Sequence, residues 1–375
     1  QTMIYLDNAA TTRPDEGAVR AAMHYLQEDF FNPSALYREG FAVHKELEEA
    51  RKNILSLITS HAEYELIFTG SGSEADNQAL FCTANRGNIV TTAGEHAAIY
   101  NSAKELQKRG IEVRFAKLNG DGSVNADDLL SLVDSGTSLV SVIHVNNETG
   151  AVNPIAELAK RVKQKNRSAL FHSDGVQAFG KIPFSLSSEI DLYTFSAHKI
   201  GGVRGAAGLV RKKSVNVHPL IYGGGQEKGF RSGTENLFAI KQFEFAATKK
   251  FAALESDYQK IAALNRYFRE NLRGDIFEIL SSPQASPYIL SISAKGLRGE
   301  VLLHMLDDEG VVVGTGSACS SKNRYSRVIL ACGIREKNAD GVLRISFSVQ
   351  NTTDEAERAV SIFNRCAGAL AEKVR

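Results

Sequence analysis

Thr194-Phe195-Ser196-Ala197-His198-Lys199-Ile200-Gly201-Gly202 is the stretch on which the reading of the fold turns. The short apolar run from Leu192 to Phe195 predicts a buried strand, which gives way to Ser-Ala-His-Lys and then at once to glycines. Lys199 therefore sits where a strand stops. In α/β sheets that edge, outside the carboxyl ends of the strands, is where ligands bind. Two readings of the lysine stand at this point: a solvated surface cation, or an amine joined covalently to an aldehyde cofactor.

Working outward, strands and helices alternate. Strands are predicted at Leu66 to Thr69, Asn88 to Thr92, Val113 to Phe115, Leu139 to Val145, Ala169 to Ser173, Leu192 to Ser196 and Ala207 to Val210. Helical patterns at 41–58, 74–86, 96–109 and 154–166 separate most of them. This is an α/β pattern, a large domain with a mainly parallel seven-stranded sheet covered on both faces. The last two strands are joined only by the glycine-rich 201–206, too short for a crossover helix, so that pair is expected to be antiparallel. After about residue 250 the texture changes. A helical segment over Phe251 to Leu272, a strand over Tyr288 to Ser293, a helix near 299–308, strands around Val311 to Val313 and Leu343 to Ser348, and a last helix at 353–373 make a smaller α+β domain. The expected division is 15–250 for the large domain, with 1–14 and 251–375 forming the small one.

Composition narrows the function. Lys and Arg total 44 against 43 Asp and Glu, a formal charge of +1, so no global field recruits nucleic acid or an anionic membrane. No run of about 18 apolar residues suggests a membrane span. The four cysteines, Cys82, Cys319, Cys332 and Cys366, form no CxxC pair and no zinc spacing, so no metal site is expected. So few cysteines in so long a chain fit a reducing cytoplasm.

Several motifs fall at the same predicted sheet edge as Lys199. Thr69-Gly70-Ser71-Gly72-Ser73-Glu74 is a small-residue loop between strand and helix, where backbone N–H groups can face a phosphate or simply make a turn. In His172-Ser173-Asp174-Gly175-Val176-Gln177 a carboxylate tips another strand. Asp174 can cap a helix, or it can pair with the protonated ring nitrogen of pyridoxal phosphate (PLP) and keep that ring an electron sink. Gln177, and Asn147 at the end of the preceding apolar strand, have amides that could hydrogen-bond the ring's phenolate oxygen. His96 opens a helix, where the dipole disfavours the imidazolium and a neutral ring can stack on the cofactor and exchange protons. Arg344 alternates with apolar neighbours in Val342-Leu343-Arg344-Ile345-Ser346, and its guanidinium can take a carboxylate in a two-bond fork or face solvent. Cys319, in Gly316-Ser317-Ala318-Cys319-Ser320-Ser321, has the company of a mobile exposed loop.

Ser-Ala-His-Lys, His-x-Asp-x-x-Gln, Val145-Asn146-Asn147-Glu148, Arg231-Ser232-Gly233-Thr234 and the Ser-Ala-Cys-Ser-Ser run together resemble the cysteine desulfurases of the NifS/IscS branch. These are class V aminotransferases, PLP-dependent transferases of fold type I. The likeness runs from Tyr5-Leu6-Asp7 to about Phe347. It implies that Lys199 holds PLP as a Schiff base and moves protons, with Asp174 on the ring nitrogen and His96 stacked over the ring. It further implies that Gly72, Ser73, Ser196 and His198 bind the phosphate, while Gln177 and Asn147 contact the phenolate oxygen. Thr234 would reach the phosphate of a neighbouring subunit, which implies a homodimer. Arg344, with Asn147, would hold the α-carboxylate of L-cysteine, and Cys319 would take its sulfur as a persulfide, leaving alanine. A protein acceptor such as an iron–sulfur scaffold would then receive the sulfur. The sequence departs from the family's usual pattern at Ile200-Gly201-Gly202-Val203-Arg204-Gly205 and at Ala97, which leaves the acceptor open. A selenocysteine lyase or another class V aminotransferase would not require Cys319.

Overall fold

The structure is a computed structural model that describes residues 3–83, 86–315 and 325–374. Among them are twelve strands. Seven make the large sheet: β2 (Tyr64–Thr69), β3 (Asn88–Thr92), β4 (Glu112–Ala116), β5 (Thr137–Ser141), β6 (Leu170–Asp174), β7 (Leu192–Ser196) and β8 (Ala207–Lys212). Their order is β2-β8-β7-β6-β5-β3-β4. β8 is antiparallel to both neighbours and every other pair is parallel, so β2 through β7 all present their carboxyl ends at one edge. The short glycine-rich link between β7 and β8 does make an antiparallel pair, as its length requires.

Alternation along the strands supplies two cores. Phe68, Val140, Phe171, Tyr193 and Phe195 face one layer of helices, where Leu47, Leu158 and Phe243 meet them. Ile67, Leu139, Leu192 and Leu209 point the other way, toward Ala79, Ile99 and Leu106. Under the lysine strand Phe195 stacks on Phe179 with ring centroids 4.3 Å apart, and Phe243 and Phe251 close the cluster around Phe179. Such ring pairs add about 0.5–1.5 kcal/mol each beyond their burial. The end of β7 is thus a stiff platform.

A third core gathers Ile4 and Leu6 with Phe268, Leu290, Leu306, Leu343, Ile345 and Phe363. Its frame is the antiparallel sheet β12-β10-β9, with β9 at Phe277–Ile279, β10 at Ile289–Ala294 and β12 at Val342–Ser346. The parallel pair β1 (Ile4–Tyr5) and β11 (Val311–Val312) joins the chain's start to this layer. Helix Thr353–Val374 buries Ala356, Val360, Phe363, Ala367 and Leu370, spaced for one face.

Three expectations differ most. The strand predicted to run to Val145 stops at Ser141, because residues 144–153 fold into a turn closed by Asn146 N–H to Ala151 O and by Asn146 Oδ1, which accepts from the Glu148 and Thr149 N–H groups. The segment Phe251 to Leu272 spans a break at Ala253 between helices Leu237–Ala252 and Leu254–Asn271. The first of these is buried nearly all round, Lys241, Gln242 and Glu244 included, so it lacks the polar face that marks a helix in sequence. The predicted helix 74–86 starts earlier, at Gly72, behind a Ser71 cap, and ends at Phe81. Among the described residues no helix is long and apolar enough to cross a membrane.

Candidate active site

The carboxyl ends of β2, β3, β5, β6 and β7 surround a cavity of about 610 Å³. Of the residues the sequence singles out, Gly72, Ser73, His96, Asn147 and Asp174 line it. So do Gln177, Ser196, His198, Lys199 and Arg344. Thr234 is on the surface and is not among the cavity walls, and Cys319 lies outside the described residues.

Lys199 follows β7 in a single 3-10 turn, Ala197–Lys199. It is half-buried, and its Nζ donates to the carbonyls of Ala9 and Ala10, each at 2.6 Å. Burial and then the Arg344 charge press its pKa down to about 8. It is no freely solvated cation. A lysine so lowered is a free amine part of the time near neutral pH, the form that attacks carbonyls.

Asp174 closes β6 and is 3% exposed. Its Oδ1 accepts from Val176 N–H at 3.0 Å in a turn that no helix follows, so Asp174 caps no helix and sits at the cavity wall. Beside it Asp76, 1% exposed, is raised well above the carboxylate range by burial and by the Asp174 charge. Asp174 is raised by burial as well, so the two neighbouring acids resist ionising together. One ligand atom from each of Asp76, His96 and Asp174 falls within 4.8 Å of the others. His96 caps helix Ala97–Lys108, its Nδ1 accepting from Ala98 N–H at 3.2 Å. Although its surface opens on the cavity, the surrounding protein disfavours the charged ring and lowers its pKa. His198 is lowered to about 4 by burial and meets Thr11 Oγ1 at 3.1 Å through Nδ1.

Arg344, on β12, donates through Nη1 to Asn147 O at 2.8 Å and through Nη2 to Asp7 Oδ1 at 2.9 Å. Its Nε and the Asn147 Oδ1 are buried with no hydrogen-bond partner among the described residues. A buried donor and a buried acceptor left open beside a cavity are the mark of groups that serve a ligand.

Gly175 shows how tightly the Asp174 turn is built. A Cβ there would lie 1.9 Å from Cζ of Tyr193, whose hydroxyl is tied to His144 Nδ1 at 2.8 Å and whose ring is fully buried. Gly175→Ala should lower the unfolding free energy by about 3 kcal/mol, read from urea denaturation, because neither group has room to move.

The residues fit pyridoxal phosphate. Asp76 Oδ1 is buried without a hydrogen-bond partner beside the Asp174 carboxylate, giving an acidic wall for a protonated ring nitrogen. At Gly72 a Cβ would come within 3.0 Å of Val176 Cγ2, so the bare backbone keeps open a cradle at the first turn of helix Gly72–Phe81.

The sequence reading passed over Asp76, Glu95 and Lys181. Asp76 is four residues after Gly72, on the same helix face, a spacing that could have marked it. Glu95, fully buried with its pKa raised to about 8, accepts from Thr92 Oγ1 and Ile143 N–H, partners that only the fold supplies.

Residues 4–359 match the sequence profile of the family described as aminotransferase class-V. The chain is similar to a cysteine desulfurase of Trichormus azollae, 35% identical over 96% of this chain and 92% of that one. It is also similar to the cysteine desulfurase IscS of Dictyoglomus turgidum, 33% identical over 99% and 95%. A solved structure named NifS-like protein superposes with a TM-score of 0.92, at 31% identity, covering 98% of this chain and all of the other.

Proposed function

The chain belongs to the class V aminotransferases, within the cysteine desulfurases, and from that membership we propose the roles its residues take in moving sulfur from L-cysteine to an acceptor protein. The observation that carries the reading is the joining, in one cavity, of a lowered lysine, an acid pair at the end of β6 and an arginine with a free buried N–H.

Asp174 and Asp76, with His96, would hold the ring of PLP. Gly72, Ser73, Ser196 and His198 would take its phosphate, and Gln177 and Asn147 its phenolate oxygen. When bound, PLP supplies an electron sink that makes the substrate's Cα proton acidic. Arg344 fixes the α-carboxylate of L-cysteine, and the Asn147 amide beside it adds a second polar contact. Lys199 takes the proton from Cα and returns it as the product forms. The Cys319 thiolate attacks the substrate sulfur. An S–S bond forms, the C–S bond breaks, its electron pair remains on carbon and is protonated, and alanine leaves while Cys319 keeps the persulfide. The test is direct: purified protein supplied with PLP, L-cysteine and a thiol reductant should release alanine and sulfide in equal amounts, and absence of alanine would overturn the assignment.

The lowered pKa of Lys199 has a kinetic consequence. Only its unprotonated amine can capture the cofactor's aldehyde, so the rate at which cofactor-free protein gains visible absorbance should rise with pH and reach half its maximum near pH 8. An ordinary lysine would place that midpoint at about 10.4.

A homodimer is part of the same reading. Thr234 is exposed, away from its own cavity, beside a loop whose Leu220, Ile221 and Tyr222 face solvent. Phe30, Leu36 and Phe41 add exposed apolar surface elsewhere. Glu227 braces the loop by accepting two hydrogen bonds from Arg51 and one from Phe68 N–H, although Glu227 and Lys228 both have positive φ. Light scattering should give twice the chain mass. The free thiols Cys82, Cys332 and Cys366 support a reducing, cytoplasmic setting, and the acceptor would be a protein such as an iron–sulfur scaffold.

A further inference from the structure

Lys181 is 4% exposed, a costly place for an ammonium, and the mechanism above gives it no task. Its Nζ donates to Gln177 Oε1 at 2.8 Å. On the other side Gln177 Nε2 donates at 2.9 Å to Ala9 O, the carbonyl that also accepts from Lys199. These partners agree on which way the amide points. A carbonyl only accepts, so Nε2 must face Ala9, and Oε1 is left to meet the N–H groups of Lys181. Turning the amide over would set Oε1 against a carbonyl oxygen and forfeit both bonds. Without Lys181, Oε1 would be a buried acceptor with no partner, and the polarity would rest on Ala9 alone.

Gln177 lines the cavity, and with one Nε2 hydrogen on Ala9 its second is the donor it has left to offer. We propose that Lys181 is a positioning residue which holds the Gln177 amide as a donor toward the cavity, and through it sets the affinity for an anionic oxygen on the cofactor ring. This rests on reading the cavity as a PLP site. Burial, together with the charges of Lys199, Lys250 and Arg344, lowers Lys181 well below the usual lysine range, and its Nζ can donate to Gln177 with or without the extra proton.

The experiment is a double-mutant cycle on PLP affinity, read by absorbance titration of cofactor-free protein. Lys181→Met should weaken binding about tenfold, and Gln177→Leu by at least as much. The double variant should bind no more weakly than Gln177→Leu alone, since Lys181 acts only through that amide. Additive losses, or parent-like affinity in Lys181→Met, would overturn the proposal. If Lys181→Met does not fold, Lys181→Gln enters the same cycle. It keeps a donor and should bind within about twofold of the parent, and a loss as large as that of Gln177→Leu would overturn the proposal equally. A parent chain that takes up no PLP would instead remove the functional reading beneath this one.

Discussion

Lys199→Ala should lower turnover of L-cysteine by about 10²–10⁴-fold, the range that a positioned proton-transferring group contributes. Among the described residues Lys199 is the only lysine that lines the cavity. Lys181, the neighbouring buried amine, is committed to Gln177, and Lys250 is paired with Asp257 at 2.7 Å. The variant should also lose PLP on dialysis, because the two carbonyls that now accept from Nζ cannot hold the cofactor in its place. Because β7 rests on the Phe179, Phe195 and Phe243 cluster, the substitution leaves the strand's packing intact. Its unfolding midpoint should stay within a few degrees of the parent. Turnover within tenfold of the parent would remove Lys199 from the chemistry.

Cys319→Ala should abolish sulfide release while leaving cofactor affinity and visible absorbance unchanged. Mass analysis after exposure to L-cysteine should find one added sulfur on the parent peptide that holds Cys319 and none on the variant. The other three thiols are poor substitutes. Burial raises the pKa of Cys82 to about 11 and that of Cys332 to about 12, and it raises Cys366 as well, so none supplies much thiolate near neutral pH. Sulfide formation persisting in Cys319→Ala would transfer the role to another group or to a lyase chemistry that needs no thiol.

The parts of the fold legible in the sequence are those whose burial is complete and whose ends are chemically abrupt. β7 is apolar until Ser196 and is followed within a few residues by glycines, and β3 runs from Asn88 to Thr92 between polar turns, so both have the predicted bounds. Helix Gly299–Asp308 likewise stands clear, between Arg298 and Gly310. Helix Leu237–Ala252 is hidden by its burial on nearly all sides, and the two-residue strand β1 carries no pattern of its own, whereas its partner β11 falls within the strand expected around Val311 to Val313. In the site, residues that end a strand or begin a helix could be picked out by position, as with Asp174, His96 and Lys199. Lys181 could not, because what sets it apart is a lack of solvent, and Asp76 only through its spacing from Gly72, since its acid partner Asp174 is distant in sequence.

The first few residues thread between the cavity and the last third of the chain. Asn8 Nδ2 donates to Ser346 O across 338 residues, and Ala9, whose carbonyl receives Lys199, is fixed by Ser346 Oγ. At about 5–20 residues per second a ribosome needs roughly 7–30 s to go from Lys199 to Ser346. For that time the nascent chain carries β7 and its lysine without the Ser346 contacts that fix the receiving carbonyl of Ala9. The cavity is among the last things the growing polypeptide completes, and a product truncated before Arg344 could build most of the large sheet yet never close the pocket.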